Sequence, residues 1–316
     1  MKGEKLNYIE YEGRKISTRP SVDKYEINED GEYERQIPWF RCGFAEGENP
    51  VEANRYIFFW AKDCAWSNRI AIILSLLGLE DIIKEEIVDW TKLDIPVGWE
   101  FVNSENSINK ESGARFIGEL YYHSDSNFYG RPSVPLLYDY KRKIIANNDF
   151  DKMSYYLENE FRAFHKPASY DLFPKELQND ITDMNKWIYE RINNSIYKMF
   201  FAQNVRAYNK GYRLFREGLE TLEKRLENSR FIFGDCITDS DIRVFSTLVR
   251  FDINYAIGIK LKERLSDYKN LNDYCKKIYQ IEEVKNKTFF AAIYRGESNQ
   301  KIIEEIENSW NKPINR

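Results

Sequence analysis

Cys64 is the strongest candidate for a reactive residue, because it lies between a predicted strand and a predicted helix. A short apolar and aromatic run, Arg55-Tyr-Ile-Phe-Phe-Trp60, is typical of a buried strand, and it stops at Lys62-Asp63. A strongly apolar segment then runs from Cys64 to Gly78, a residue type that often terminates helices. The thiol is therefore predicted at a helix N-terminus, where free backbone N–H groups and the helix dipole stabilise thiolate. Cys64 is the candidate nucleophile, and the alternative is a buried cysteine that only packs.

The other three cysteines, Cys42, Cys236 and Cys275, show no close pairing. A chain of 316 residues with four cysteines is not a disulfide scaffold, so we expect reduced thiols. The two histidines, His123 and His165, are distant in sequence from each other and from every cysteine. Metal sites need clustered Cys, His or carboxylate ligands, and the sequence therefore predicts no metal.

Length and composition indicate the number of domains and exclude several classes of partner. A length of 316 residues exceeds the usual size of one hydrophobic core and predicts two domains. The net charge of −4, with acidic and basic residues interspersed, indicates no nucleic-acid partner. No apolar run of membrane-spanning length and no apolar signal segment is present, so we expect no membrane association and a cytoplasmic location. The 22 Tyr, 20 Phe and 7 Trp can build a dense core or line a pocket for flat aromatic ligands.

The elements after Cys64 follow the order of a thioredoxin-like domain. Residues 85–89 predict a second strand, and the polar stretch from 91 to 130 predicts a long, loop-rich insertion. Two short apolar segments, 134–138 and 144–145, predict a hairpin, and a helix is predicted to start near Asp149. Strand, helix, strand, hairpin, helix is the thioredoxin order, in which Pro135 would open an edge strand in the cis form.

From about residue 152 the pattern becomes helical, with helices predicted over 175–201, 204–228, 240–257 and 270–280. Thr238 and Asp241 form a predicted capping box, and Ile237 and Ile242 form its hydrophobic staple. We therefore predict an α/β thioredoxin-like domain followed by an all-α domain. The predicted boundaries are an N-terminal extension over 1–52, the thioredoxin-like domain over 53–165 and the helical domain over 166–316.

The sequence around Cys64 resembles a known active-site segment. Cys64-Ala-Trp-Ser-Asn-Arg69 is similar to the Cys-Pro-Trp-Ala-His-Arg segment of the glutathionyl-hydroquinone reductases, the xi class of glutathione transferases. The resemblance continues through Gly98-Trp99-Glu-Phe101 and the stretch from Tyr129 to Asp139. In the helical half it covers 185–189, 193–198, 238–243 and 248–255, so the matches span about residues 39 to 298 in order. The resemblance implies the glutathione-transferase architecture and a homodimer.

The resemblance implies a two-step thiol exchange with glutathione as co-substrate. The Cys64 thiolate attacks the sulfur of a glutathionyl-hydroquinone, the hydroquinone leaves, and a second glutathione resolves the cysteine–glutathione mixed disulfide. An aromatic carbon leaves only if the ring is protonated, so an acid is required. By position the resemblance assigns Tyr197 as the proton donor, with Tyr255 and Tyr294 near the thiol. Phenol O–H groups can also donate hydrogen bonds to a thiolate, whereas packing is the alternative role for each tyrosine.

For glutathione the resemblance implies a set of binding residues: Trp99, Arg131, Ser133, Val134, Asp149 and Phe150. The backbone of Val134 would pair with the tripeptide as an added strand. At the γ-glutamyl end the family has an acidic residue followed by Ser, whereas this chain has Asp149-Phe150 and lacks the hydroxyl. Next to the thiol, Ala65 and Asn68 replace the family's proline and histidine, and loss of the proline loosens the first helical turn.

Three functions stay open at this point. The first is a glutathione-dependent reductase of glutathionyl-hydroquinones that also cleaves glutathione mixed disulfides. The second is the same chemistry with another low-molecular-weight thiol, because Asp149-Phe150 lacks the hydroxyl. The third is a non-catalytic binding protein that keeps the fold, because the turn after Cys64 is altered. Function resides in the site and not in the fold, so the fold alone does not decide between them.

Overall fold

The computed structural model describes residues 7–18, 25–44, 49–102, 108–296 and 300–313. The chain divides into two compact units. The first comprises Met1–Tyr25, Arg35–Ile70 and Leu79–Phe164, and the second comprises Glu26–Glu34, Ala71–Gly78 and His165–Arg316. The first unit holds a mixed sheet and the second is helical, which confirms the predicted architecture.

The core of the first unit is a five-stranded sheet in the order β5-β4-β3-β6-β7. Its strands are β3 (Tyr56–Trp60), β4 (Lys84–Trp90), β5 (Trp99–Phe101), β6 (Leu136–Asp139) and β7 (Ile144–Asn147). Strand β3 pairs parallel with β4 and antiparallel with β6. All five β3 residues are buried, which explains why this strand is a continuous apolar run. Helix α1 (Ala65–Leu77) connects β3 to β4 and is followed by Gly78, whose φ of +67° suits glycine.

The predicted loop-rich insertion over 91–130 contains two elements that the sequence pattern did not indicate. Strand β5 lies there, as does helix α2 (Ile117–Ser124). Three residues are too few to show a strand period, and α2 begins without a Ser, Thr, Asp or Asn cap. The Glu119 carboxylate instead accepts the backbone N–H groups of Arg115 and Phe116, at 2.8 and 3.0 Å.

The prediction for Pro135 is confirmed in one respect and wrong in another. The Val134–Pro135 peptide bond is cis, as predicted. Strand β6 is not an edge strand, however, because it lies between β3 and β7. Proline is compatible with an inner strand here because it precedes the first paired residue, Leu136, so the ladder needs no N–H from it.

Part of the predicted N-terminal extension is a hairpin of β1 (Tyr8–Tyr11) and β2 (Arg14–Ser17), which sequence periodicity did not indicate. Helix α2 approaches β2 closely at Gly118, where an added Cβ would lie 2.5 Å from the carbonyl oxygen of Ser17. The hairpin therefore packs directly against α2 within the first unit.

The second unit consists of helices, most of which were predicted. The predicted helix after Asn204 is α6, and the capping box of Thr238 and Asp241 is present at the start of α7. The predicted helix over 175–201 is interrupted by a π-helical turn, Tyr189–Asn193, between α4 and α5. The helix predicted near Asp149 begins later, as α3 (Met153–Tyr155) in the first unit, and the last three helices of the chain were not predicted. The helices of the second unit are α4 (Gln178–Ile188), α5 (Asn194–Phe200), α6 (Val205–Arg225), α7 (Asp239–Leu248), α8 (Ala256–Gly258), α9 (Lys269–Tyr279), α10 (Glu282–Asn286), α11 (Phe290–Ile293) and α12 (Gln300–Asn311).

In the part of the chain that the structure describes, no helix is both long and apolar enough to cross a bilayer.

Candidate active site

Cys64 is the N-cap residue of α1. Its carbonyl accepts the N–H of Asn68 at 2.9 Å, and its own N–H donates to the carbonyl of Ala61 at 3.2 Å. The Ser67 hydroxyl accepts a hydrogen bond of 3.1 Å from the backbone N–H of Ala61, which ties the residue before the turn to the first turn of α1. The turn thus forms with Ala65 at the first helical position, and the predicted place of the thiol is confirmed.

The side chain of Cys64 is partly exposed, and its sulfur lies 3.8 Å from the carbonyl oxygen of Val134. The thiol and the residue before the cis-proline are therefore neighbours, although 70 positions separate them in sequence. A sulfur atom at a helix N-terminus and open to solvent is favourably placed for nucleophilic chemistry.

The other three cysteines differ from Cys64 in their surroundings. All four are free thiols. Cys42 and Cys236 are exposed and lie outside helices, whereas Cys275 is buried within α9. Burial raises the pKa of Cys275 well above its usual value, so that thiol stays protonated and unreactive.

The backbone around the cis-proline is shaped to receive an extended ligand. Val134 lies outside the β3–β6 ladder, and its N–H finds no acceptor among the residues that the structure describes. Tyr121 donates its hydroxyl to the carbonyl of Ser133 at 2.7 Å, and burial raises the pKa of that phenol. Gln36 fixes Arg131 by accepting its N–H and donating to its carbonyl, both at 2.8 Å. The geometry fits strand addition by a peptide-like thiol.

Trp99 lies on β5, opposite Trp90 on β4. The two indoles are stacked, with centroids 4.1 Å apart and an interplanar angle of 28°. Trp99 is buried, and its ring N–H has no acceptor within the described ranges. The indole N–H of Trp99 is therefore available to a ligand.

One carboxylate oxygen of Asp149 stabilises the turn that follows this residue. Its Oδ1 accepts the N–H groups of Asp151 and Lys152, at 3.0 and 3.1 Å. Its Oδ2 has no hydrogen-bond partner in the described part of the chain. An ammonium group could bind to Oδ2 without breaking the turn, so the shorter carboxylate remains a suitable partner for a γ-glutamyl amine.

Phe150 forms an aromatic and cationic cluster that the sequence did not reveal. Its ring packs edge-on against Trp66, with centroids 4.8 Å apart. The guanidinium of Arg35 lies 4.3 Å from the Trp66 centroid and 5.4 Å from that of Phe150. Arg69 donates to the carbonyl of Phe150. Arg35 was missed because it falls in the stretch predicted as an extension, and no local pattern links it to a position more than a hundred residues away.

In the second unit, Tyr197 on α5 and Tyr255 at the end of a π-helical turn, Phe251–Tyr255, lie together. Their hydroxyl oxygens are 3.5 Å apart and their ring centroids 6.2 Å apart. Tyr197 is partly exposed and Tyr255 is buried. The pair therefore has one accessible phenol with a buried phenol within hydrogen-bonding distance of it.

Tyr294 follows α11, and its segment is tied to the turn that carries Tyr255. Asn254 donates its side-chain amide to the carbonyl of Ile293 at 2.9 Å, and Arg295 donates its N–H to the carbonyl of Ile253 at 3.0 Å. The Tyr294 ring folds over Gly296, where an added Cβ would lie 2.0 Å from the phenol oxygen. Glycine at position 296 is therefore required for this placement of the hydroxyl.

The predicted site residues thus fall into two groups. Within the first unit lie Cys64, Trp99, Arg131, Ser133, Val134, Asp149 and Phe150. Within the second lie Tyr197, Tyr255 and Tyr294. Across the described ranges, no group of three or more His, Cys, Asp and Glu side chains could hold a metal ion.

The chain is similar in sequence to known proteins. A family model described as the glutathione S-transferase C-terminal domain matches residues 206–277. The chain is 35% identical to the glutathionyl-hydroquinone reductase YqjG of Escherichia coli (strain K12) over 234 residues, which cover 73% of this chain and 70% of that protein.

Solved structures show the same similarity. The glutathione S-transferase Xi of Phanerochaete chrysosporium superposes with a TM-score of 0.77 at 30% identity, covering 83% of this chain and 90% of that one. The glutathione-bound structure of YqjG from Escherichia coli K-12 gives a TM-score of 0.73 at 32% identity, covering 81% and 86%. This chain therefore belongs to the glutathionyl-hydroquinone reductases, the xi class of the glutathione transferases.

Proposed function

We propose that this protein reduces glutathionyl-hydroquinones with glutathione, through a mixed disulfide formed on Cys64. The observation that carries the proposal is the position of the thiol, at the N-cap of α1 and 3.8 Å from the carbonyl before the cis-proline. The similar Escherichia coli protein bears the name of this activity, and its solved structure is described as glutathione-bound.

The first step is attack by the Cys64 thiolate on the sulfur of the glutathionyl group. The bond between that sulfur and the ring carbon breaks, and its electron pair stays on the carbon, which takes a proton to give free hydroquinone. In this proposal Tyr197 donates that proton, and Tyr255 and Tyr294 support the thiolate and the acid by hydrogen bonds. The ring is reduced, while the two sulfur atoms are oxidised to a disulfide.

In the second step a glutathione thiolate attacks the mixed disulfide, so that oxidised glutathione leaves and the Cys64 thiolate is restored. No further oxidant or reductant is needed, because each turnover converts one thioether and one thiol into one hydroquinone and one disulfide. The same second step would cleave other glutathione mixed disulfides.

Recognition of glutathione is assigned to the first unit. Val134 would pair with the ligand backbone, and Asp149 Oδ2 would accept a hydrogen bond from the γ-glutamyl ammonium. Trp99, Arg131 and Ser133 complete the proposed contacts. These roles are supported by the available N–H of Val134 and carboxylate oxygen of Asp149 in the described residues.

A second candidate is the same chemistry with a different low-molecular-weight thiol. Phe150 favours it, because an aromatic ring packed on Trp66 occupies the position at which the family has a serine hydroxyl. Comparing turnover with glutathione and with thiols that lack the γ-glutamyl group distinguishes the two candidates. The non-catalytic alternative is less well supported, because the Cys64 turn closes without the family's proline.

We further propose, from the sequence and the resemblance, that the protein is a cytoplasmic homodimer with domains over 53–165 and 166–316.

The direct test is isolation of the mixed disulfide. Protein without free glutathione is mixed with less than one equivalent of a glutathionyl-hydroquinone and analysed by peptide mass spectrometry. We expect one glutathione adduct on Cys64 and an equal amount of free hydroquinone. The Cys42→Ser protein is the matched control and should behave as the parent. Hydroquinone release without an adduct, or an adduct confined to another cysteine, would contradict the proposal.

A further inference from the structure

Trp90 is an apolar residue with 47% of its surface exposed, at the end of β4. Its cross-strand partner Trp99 is only 7% exposed. A single exposed aromatic residue is common and needs no explanation by itself. Trp90 is unusual because of the two groups that its indole contacts.

One face of the Trp90 indole covers Trp99. The ring centroids are 4.1 Å apart and the planes are 28° from parallel, so the contact constrains the plane in which the Trp99 ring lies. On β4 and β5 the backbone pairing sets only the Cα positions of the two residues. Together with the core packing of Trp99, the stacking therefore restricts the directions in which its indole N–H can point.

The ring N–H of Trp90 contacts a second feature. It donates a hydrogen bond of 3.2 Å to the Oδ2 atom of Asp63. Asp63 is the residue immediately before Cys64, in the turn that closes on Ala61. One side chain thus links the turn that carries the thiol to the indole proposed to contact glutathione.

The contact with Asp63 has an electrostatic consequence. A carboxylate next to a thiol opposes formation of the thiolate, because the two negative charges repel. The indole N–H holds one oxygen of that carboxylate towards β4. This hydrogen bond therefore restrains the carboxylate from turning towards the sulfur.

We propose that Trp90 is a positioning residue for the reductase site, which orients Trp99 by stacking and restrains the Asp63 carboxylate beside Cys64. The inference rests on the proposed function, in which Trp99 contacts glutathione and Cys64 is the nucleophile. Trp90 touches neither the reacting atoms nor, in this proposal, the glutathione itself. The two roles use different atoms of the indole, so they can be separated by substitution.

The stacking role is tested by calorimetric titration of glutathione into proteins that also carry Cys64→Ser, which prevents thiol exchange. Trp90→Ala should weaken glutathione binding roughly threefold to tenfold, the equivalent of one aromatic pair. Trp90→Phe keeps a flat ring over Trp99 and should restore most of the affinity. Thermal unfolding of each variant checks that the exposed position tolerates the change.

Trp99→Ala separates failure of this inference from failure of the proposed function. If Trp99→Ala weakens binding and Trp90→Ala does not, only the inference about Trp90 is overturned. If Trp99→Ala leaves the affinity unchanged, the Trp99 assignment is wrong and the stacking role is overturned with it. If Trp90→Phe binds as weakly as Trp90→Ala, a flat ring does not suffice, which also overturns the stacking role.

The role of the N–H is tested by the rate at which iodoacetamide alkylates Cys64. Trp90→Phe should slow alkylation roughly twofold to tenfold, the rate equivalent of one hydrogen bond. Asp63→Ala should speed it, because the neighbouring negative charge is removed. In the Asp63→Ala protein, adding Trp90→Phe should have no further effect. Equal slowing by Trp90→Phe with and without Asp63 would overturn this half of the proposal.

Discussion

The hydroxyl oxygens of Tyr197 and Tyr255 lie 3.5 Å apart, although the residues are 58 positions apart in sequence. At this distance one phenol can donate a hydrogen bond to the other, so a buried hydroxyl lies within hydrogen-bonding reach of the partly exposed Tyr197. A phenol that donates a proton and is then stabilised as phenolate by a second phenol is suited to general acid catalysis.

The first prediction concerns Tyr197→Phe. This change should slow release of hydroquinone by about 10²-fold or more, because the ring carbon loses its proton donor. Cleavage of a simple glutathione mixed disulfide should slow much less, because a thiolate leaves without protonation. Both reactions are measured on the same preparation. Equal slowing of the two would return Tyr197 to a packing role.

The second prediction is that Cys64→Ser abolishes turnover without unfolding the protein. The hydroxyl is close to the thiol in size, and the side chain is only partly buried, but a serine is far less nucleophilic at neutral pH. Cys42→Ser, Cys236→Ser and Cys275→Ala should retain the reaction. Steady-state rates and circular dichroism spectra check all four proteins, and loss of activity in any of the last three would weaken the assignment.

The third prediction concerns Phe150, whose ring packs on Trp66 and near Arg35. Phe150→Ser and Phe150→Ala both remove this packing, but only serine supplies a hydroxyl. Glutathione should bind roughly threefold to tenfold more tightly to Phe150→Ser than to Phe150→Ala, the value of one hydrogen bond. Calorimetry gives the comparison. If both bind more weakly than the parent, the ring itself contacts the ligand and a thiol other than glutathione becomes the leading candidate.

The fourth prediction concerns Gly296, where an added Cβ would overlap the Tyr294 ring. Gly296→Ala should displace the phenol and lower the reductase rate by about the same factor as Tyr294→Phe. In a Tyr294→Phe protein the hydroxyl is already absent, so adding Gly296→Ala should cost little more. A large additional loss in the double variant would show that Gly296 acts through something other than the Tyr294 hydroxyl.

The fifth prediction concerns acid stability through Asp139, at the end of β6. Burial alone raises the pKa of Asp139, but the backbone and side chain of Arg142 and the guanidinium of Arg55 outweigh burial and hold it below the usual value. A carboxyl with a lowered folded-state pKa stabilises the protein above its unfolded pKa of about 3.9, and this stability is lost as the pH falls through the folded pKa. Asp139→Asn should therefore lower the free energy of unfolding at pH 7 and flatten its acid dependence.

The control for the fifth prediction is Asp183→Asn, because the Asp183 side chain is 79% exposed and pairs with an exposed lysine. Urea unfolding between pH 3 and 7 measures both variants. An acid dependence that is unchanged in Asp139→Asn would contradict the assignment.

Local sequence determined the features that depend on neighbouring residues. The buried strand before Cys64, the helix that follows it and the Thr238–Asp241 capping box all arise from contacts within a few positions. The resemblance around Cys64-Ala-Trp-Ser-Asn-Arg69 and along the helical half identified the family in the same way, from short motifs in order. Such features can be predicted from a single sequence because the residues that interact are close to one another along the chain.

Tertiary structure alone decided the contacts between distant positions. Helix α2 was missed because its start is stabilised by Glu119 in place of a recognised cap, and β6 became an inner strand through pairing with β3 and β7. The stacking of Trp90 on Trp99 and its hydrogen bond to Asp63, 27 positions away, follow from the sheet register. The meeting of Arg35 with Trp66 and Phe150 depends on how the N-terminal segment crosses the first unit. These contacts have no local signal, because each is set by the path of the whole chain and not by the residues beside it.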